Sequence, residues 1–160
     1  MRALFITAIL WILANGAVAQ VGIGFGGVPH DGDQPVDITA AELSIDRESG
    51  NVVFSGNVLI VQGDLRLAAA EVTVIYAEAG GQTDVERVIA SGGVLVTRGE
   101  DAAEGSEAEY NVTDASLTLS GSVLVTQGPT AISGDRLVID LETGSGTMVG
   151  QVRTTLGVGE

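Results

Sequence analysis

Few side chains in this 160-residue chain are of a kind that performs covalent or metal chemistry. His30 is the one imidazole and there is no Cys. A nucleophile–base pair or a His-based metal site therefore lacks its partners. No G-x-S-x-G elbow or Walker motif occurs. Gly22-x-Gly24-x-x-Gly27 matches the dinucleotide fingerprint by letter. No strand-like run precedes it and no helical period follows, so the strand–turn–helix that aims amides at a pyrophosphate is missing. Glu100, Asp101, Glu104, Glu107 and Glu109 form an acidic run without the Gly-centred loop spacing of a Ca²⁺ site. A solvated turn and strand edge accounts for them. Asn111-Val112-Thr113 is a glycosylation sequon, meaningful only in a host that uses it. These residues predict a protein that is not an enzyme, with no cofactor and no metal.

What the chain has in quantity is aliphatic alternation, and it repeats. Ser55–Gly63 reads SGNVLIVQG, Ser91–Gly99 reads SGGVLVTRG, Ser120–Gly128 reads SGSVLVTQG, and Val149–Gly157 is a worn copy, VGQVRTTLG. The first Gly of each copy stands at 56, 92, 121 and 150, spacings of 36, 29 and 29. Recurrence of this kind marks one supersecondary unit used several times. The unit is β, because Val, Leu, Ile and Thr alternating between Gly punctuation suit a pleated, half-buried surface.

A second piece recurs between the copies: Ala40–Asp46, Ala69–Tyr76, Gly105–Val112 and Ser133–Asp140. Each opens an alternating strand with an acid, at Glu42, Glu71, Glu107 and Asp135. A third piece, such as NVVFSG or SLTLSG, runs into the repeated Gly, so each unit holds roughly four short strands. Ala77–Glu86 reads as a hairpin-tip insertion. Residues two apart share a face of a sheet. On that rule Val58, Ile60, Val94, Val96, Val123, Val125, Val152 and Thr154 point inward, with Phe54, Ala90, Leu119 and Met148 one strand earlier. Leu43, Ile45, Val72, Val74, Tyr76, Tyr110, Leu137 and Ile139 point inward on the acid-led strands. Leu59, Leu95 and Leu124 fall on the outer parity, and bulges are expected at the Ser-Gly steps.

The ends and the charge bound the setting. Arg2, the apolar Ala3–Ala14 stretch and Ala17-Val18-Ala19 form the pattern of a secretory signal peptide over residues 1–19. Residues 20–37 are rich in Gly and Pro and read as a flexible linker. A repeat domain over 38–156 and a tail at 157–160 complete the chain. Cleavage would leave six Arg and no Lys against 21 acids, a net charge of −15. Nucleic acid and anionic membrane faces both demand cationic patches, so neither is an expected partner. With no Cys, the exported core must close without disulfides.

Two all-β outcomes suit the pattern, a parallel β-solenoid and a two-sheet antiparallel roll. Short strands joined by tight turns favour the second. Small inward aliphatics would leave a lumen between two sheets, or close into an ordinary sandwich core. The residues alone favour the closed core.

The order of the pieces narrows this further. An export signal precedes the I-T-A-A-E-L strand (Ile38–Leu43), and x-x-G-x-V-x-V-x-x-G copies then alternate with acid-led segments. In this the chain resembles the OstA-like family of periplasmic lipopolysaccharide-transport bridge proteins, over residues 38–156. The resemblance implies a β-jellyroll of short antiparallel strands in two twisted facing sheets, open at both ends and greasy inside. It implies a periplasmic carrier that passes lipopolysaccharide from an inner-membrane anchored transport partner to an outer-membrane translocon, as a head-to-tail homo-oligomer. The inward rows, Phe54, Val58, Ile60, Val72, Val74, Tyr76, Val94, Val96, Tyr110, Leu119, Val123, Val125, Leu137 and Ile139, would then contact acyl chains. Ile38 and Leu43 at one end, and Val152 and Thr154 at the other, would lie on the edges that add strands. The competing expectation is an exported structural β-repeat protein that polymerises through its ends and carries no lipid.

Overall fold

The computed structural model describes residues 35–77 and 84–157. The expected signal peptide, most of the linker with His30 and Gly22–Gly27, the tip of the 77–86 insertion and the last three residues lie outside the described residues. The described residues form ten antiparallel strands and no helix: β1 Val36–Thr39, β2 Glu42–Ile45, β3 Val52–Gln62, β4 Leu65–Tyr76, β5 Val85–Arg98, β6 Asp101–Asn111, β7 Ser116–Gln127, β8 Thr130–Asp140, β9 Ser145–Val149 and β10 Arg153–Leu156. β1 opens two residues before Ile38, since Val36 and Asp37 pair with Gln62 and Val61.

The strands are longer than the sequence pieces suggested because consecutive pieces fuse across a bend. β3 to β8 follow one another as a meander, and each bends near its middle. β1 pairs with one half of β3 and β2 with the other half. β10 and β9 divide β8 in the same way. The chain thus forms eight bent ribbons in one hydrogen-bonded sheet, and the two facing layers are the halves of that sheet. The first layer holds β1, β10 and the 58–62, 65–69, 94–98, 101–105, 123–127 and 130–134 halves. The second holds β2, β9 and the remaining halves.

The repeated Gly makes the bend. Register shifts fall between Ser55 and Val58, Ser91 and Val94, and Ser120 and Val123. At each, two consecutive residues take left-handed backbone: Gly56 and Asn57 at φ 83° and 50°, Gly92 and Gly93 at 80° and 88°, Gly121 and Ser122 at 81° and 53°. Gly150 and Gln151, at 80° and 43°, repeat the device in the last ribbon. Such a pair turns a strand sharply and raises its twist. The second recurring piece supplies the counterpart. A Cβ on Gly56, Gly92 or Gly121 would lie 2.6 Å from the Ala41 Cβ, 2.5 Å from the Ala70 Cβ or 2.5 Å from the Ser106 Oγ. On Gly150 it would strike Asp135. The two recurring pieces are therefore the two sides of one corner.

This geometry corrects one alignment. The residues opposite the corner are Glu42, Glu71 and Glu107, paired with Ser55, Ser91 and Ser120, and then Arg136, paired with Val149. Asp135 sits one place earlier, equivalent to Ala41, Ala70 and Ser106. The fourth copy carries a cation where the others carry an acid.

The core lies between the layers. Val58, Val94, Val96, Val123, Val125 and Ile132 of the first layer belong to the same buried cluster as Val72, Ala90, Leu119, Leu137 and Ile139 of the second. Tight turns at Gly63-Asp64, Gly99-Glu100 and Gly128-Pro129 edge the first layer. Longer loops edge the second. Two of these are set by aspartate: Asp46 Oδ1 accepts from the Glu48 and Ser49 amides at 2.8 and 2.9 Å, and Asp140 Oδ1 accepts from those of Glu142 and Thr143 at 2.9 Å each. The Ser49 amide chiefly holds the Asp46 carboxyl below its usual range, and the Thr143 amide does the same for Asp140.

Candidate functional site

Alternation along each bent strand, with a two-residue bulge at the corner, keeps one face inward through both layers. The inward rows emerge as the sequence pattern placed them. Val58, Val72, Val74, Val94, Val96, Leu119, Val123, Val125, Leu137 and Ile139 are buried, and Phe54 and Ile60 are half-buried against them. Tyr76 and Tyr110 are half-buried near the loop rim of the second layer. Leu59, Leu95 and Leu124 lie outside, each more than a third exposed. There Leu59 and Leu95 border a shallow open depression of about 610 Å³ that also includes Ala68 and Glu104.

Over the central strands the space between the layers is filled by these side chains. Val72, Leu119, Val125 and Leu137 are 0 % exposed. The interior is thus a closed aliphatic core at the middle of the domain. The ends differ. Val36, Ile38, Leu43 and Ile45 share the inward parity, through pairing with Gln62, Ile60, Phe54 and Val52, yet Val36, Leu43 and Ile45 are each 53 % exposed. At the other end Val152, Thr154 and Leu156 are all exposed, Leu156 at 74 %. An apolar row therefore runs through the domain and surfaces at both ends, beside strand edges that no described strand covers.

Several inward residues escaped the sequence reading. Leu65, Leu67 and Ala69 on β4, Ala103 and Ala108 on β6, Val88, Leu117 and Ile132 join the core. Leu65-x-Leu67-x-Ala69 carries a period of two, and parity continued through the Gly63-Asp64 turn would have found it. The alanines carry too little hydrophobic signal. They nevertheless belong to the buried cluster formed by the larger aliphatic side chains.

The two rims differ in polarity. Gln62, Arg98, Asp101 and Gln127 also share the inward parity, in one row beside the tight turns. Gln127 Nε2 donates to Asp101 Oδ2 at 3.4 Å, and Arg98 Nε donates to Asp64 Oδ2 at 3.3 Å. A polar hem closes that rim, whereas Tyr76, Tyr110 and Leu117 line the other. The acidic run is spread along β6, with Asp101 inward and Glu104, Glu107 and Glu109 outward. Among the described residues no three acidic or imidazole side chains gather as a metal-binding group. Asn111 of the sequon is engaged in its own turn, its Nδ2 donating to Asp114 Oδ2 at 2.9 Å.

Comparison with known proteins places this geometry. Residues 37–145 match the family model described as LptA/(LptD N-terminal domain) LPS transport protein. An uncharacterized protein of Rhizobium meliloti (strain 1021) is 31 % identical over 114 residues, which cover 68 % of this chain and 61 % of that protein. The lipopolysaccharide export system protein LptA of Escherichia coli (strain K12) is 35 % identical over 63 residues, 39 % of this chain and 34 % of that protein. The chain therefore spans less than two thirds of either relative. Among solved structures, LptH of Pseudomonas aeruginosa, described as the LptA-homologous periplasmic component of the lipopolysaccharide transport device, superimposes with a TM-score of 0.70 at 20 % identity. The match covers 81 % of this chain and all of that one. At that identity the likeness speaks for the jellyroll fold.

Proposed function

The chain belongs to the LptA/LptD N-terminal-domain family of lipopolysaccharide transport proteins, and we propose that it is a non-enzymatic periplasmic carrier that holds acyl chains between its two layers. The observation that carries this reading is the apolar row that surfaces at both ends. A sandwich built only for stability would cap those ends, because exposed aliphatics and open strand edges invite association. A carrier needs them continuous with a neighbour.

The energetics suit the task. Burying one methylene is worth about 0.8 kcal/mol, so an acyl chain of a dozen carbons gains on the order of 9 kcal/mol over water. Like-charge repulsion between the acidic outer face and a lipid phosphate amounts to about 1 kcal/mol per close pair, further screened by salt. Acyl burial dominates, and the sugar-phosphate head stays outside the layers. Because the central rows pack on one another, entry proceeds from the ends and requires the layers to part about the corner line. Transfer from membrane to protein is nearly neutral, since both environments are apolar. Directional flow must then be driven by an energised inner-membrane partner and drawn off by an outer-membrane translocon. End-to-end assembly of copies by strand addition at β1/β2 and β9/β10 would join their apolar rows.

A photo-crosslinking residue tests the carrier. Placed at half-buried Ile60 or Leu117, it should capture lipopolysaccharide in cells, while the same probe at outward Leu59 or Leu95 should not. Capture at the outward positions alone would refute the interior as the lipid path. The closed central core favours a second reading, a structural β-repeat polymer without ligand. Native mass spectrometry separates the two, since retained lipid marks the carrier and bare filaments mark the scaffold.

A further inference from the structure

The chain already contains three examples of the joint that two copies would make. β3 meets β4, β5 meets β6 and β7 meets β8 in one register. Val58 faces Ala69, Val94 faces Gly105 and Val123 faces Gly134. On the far side of the corner Ser55 faces Glu71, Ser91 faces Glu107 and Ser120 faces Arg136. In every case the two left-handed residues of one ribbon oppose a single small or short residue of the next: Ala70, Ser106 or Asp135.

The two free edges carry the missing halves of a fourth joint. The last ribbon presents Val149-Gly150-Gln151-Val152, bent with the same pair of positive φ values as Gly56-Asn57 and Gly121-Ser122. The first ribbon presents Ala40-Ala41-Glu42, the residue types of Ala69-Ala70-Glu71 and of Gly105-Ser106-Glu107. Direction agrees as well. Each layer contains eight strands in alternating sense, so the first strand of a like-oriented second copy runs antiparallel to β10 in one layer and to β9 in the other.

We propose that copies of this chain join in the internal register, with Val152 of one copy opposite Ala40 of the next, Thr154 opposite Ile38, Leu156 opposite Val36, and Met148 opposite Leu43. This rests on the end-to-end reading above and specifies its contacts. The inward rows then align, Thr154 with Ile38 and Met148 with Leu43, and the exposed Leu156 and Val36 cover each other. On the outer face Arg153 lies opposite Thr39 and diagonal to Asp37, a separation an Arg side chain spans. Arg153 is the one cation of β9 and β10, and Asp37 and Glu42 are the acids of β1 and β2. The pair complements a head-to-tail joint and opposes pairing of two like edges.

The absence of native Cys allows a direct test. Full chains carrying Thr154→Cys and Ile38→Cys are mixed and oxidised. Residues directly opposite in antiparallel strands have Cα atoms about 4.5–5.5 Å apart, within disulfide range, whereas a two-residue offset is about 7–8 Å. The expected result is a disulfide dimer from this mixture, little from Thr154→Cys with Val36→Cys, and little from either variant alone. Preferred coupling of Thr154→Cys to Val36→Cys would overturn the register while leaving end-to-end assembly standing. No coupling in any mixture, with a monomer in sedimentation at high concentration, would overturn both. Arg153→Asp should weaken association roughly fivefold, and Asp37→Arg on the partner copy should restore it; unchanged association in both would remove the ion pair from the joint.

Discussion

Gly92→Ala probes the corner on which both layers depend. Gly92 has φ +80°, a conformation that costs a residue with a Cβ about 1–2 kcal/mol. The new methyl would also lie 2.5 Å from the Ala70 Cβ, and overpacking of this kind adds about 1–3 kcal/mol. The expected loss is about 3–4 kcal/mol. Gly99→Ala is the control: its φ is +59°, but nothing lies within 4 Å of the added methyl, so about 1 kcal/mol is expected. With a urea slope of about 2 kcal/mol per molar, the midpoint should fall by roughly 1.5–2 M for Gly92→Ala and by about 0.5 M for Gly99→Ala. Adding Ala70→Gly to Gly92→Ala removes the overlap and keeps the backbone strain. It should recover about 1–2 kcal/mol, even though Gly within a strand itself costs about 0.5–1 kcal/mol. If Gly92→Ala and Gly99→Ala shift the midpoint equally, close approach across the corner is not what reserves this position for Gly.

The remaining expectations concern the core, the turns and the other corner residues. Leu119→Ala should cost about 3 kcal/mol in urea unfolding, because the side chain is wholly buried between the layers, whereas outward Leu124→Ala should cost less than about 1 kcal/mol. Asp46 and Asp140 have pKa values lowered by amide hydrogen bonds, so their contribution is complete above the unfolded value near 3.8 and fades as pH falls through the lower folded value. An Asp46→Asn, Asp140→Asn double variant should accordingly show a flatter loss of stability in acid titration below about pH 4. Ser122→Gly should be neutral to stabilising by up to about 1 kcal/mol, because relief of a positive φ outweighs the extra chain entropy of Gly. Asn57→Gly should gain less, since Asn tolerates that conformation, and thermal unfolding can rank the two.

How much of this was legible beforehand follows from where each signal resides. Alternation is a local property, so the inward set from Phe54 to Ile139 could be read from parity, as could the outward leucines at 59, 95 and 124. The Ser-Gly steps were legible as bulges because Gly marks backbone that other residues avoid. Ala103, Ala108 and Ile132 were not picked out. The two alanines leave little periodic trace because their side chains are small, and Ile132 stands just ahead of the Ser133–Asp140 piece, outside the segments in which alternation is plain. The alignment of Asp135 failed for a related reason: charge was taken as the marker, whereas the structure matches positions by the corner, where Arg136 takes the place of Glu107.

Sequence alone thus determined the element type, the repeat and the side of the sheet on which each aliphatic side chain lies, because each depends on neighbours a few bonds away. The tertiary structure decided that the pieces fuse into bent strands of one sheet and that the central rows close on one another. It also decided that, among the described residues, the apolar row surfaces at the two ends. Those outcomes depend on contacts between neighbouring ribbons, such as Gly92 against Ala70 and Gly121 against Ser106, residues far apart on the scale of local alternation, and on which edges find no further described strand to pair with.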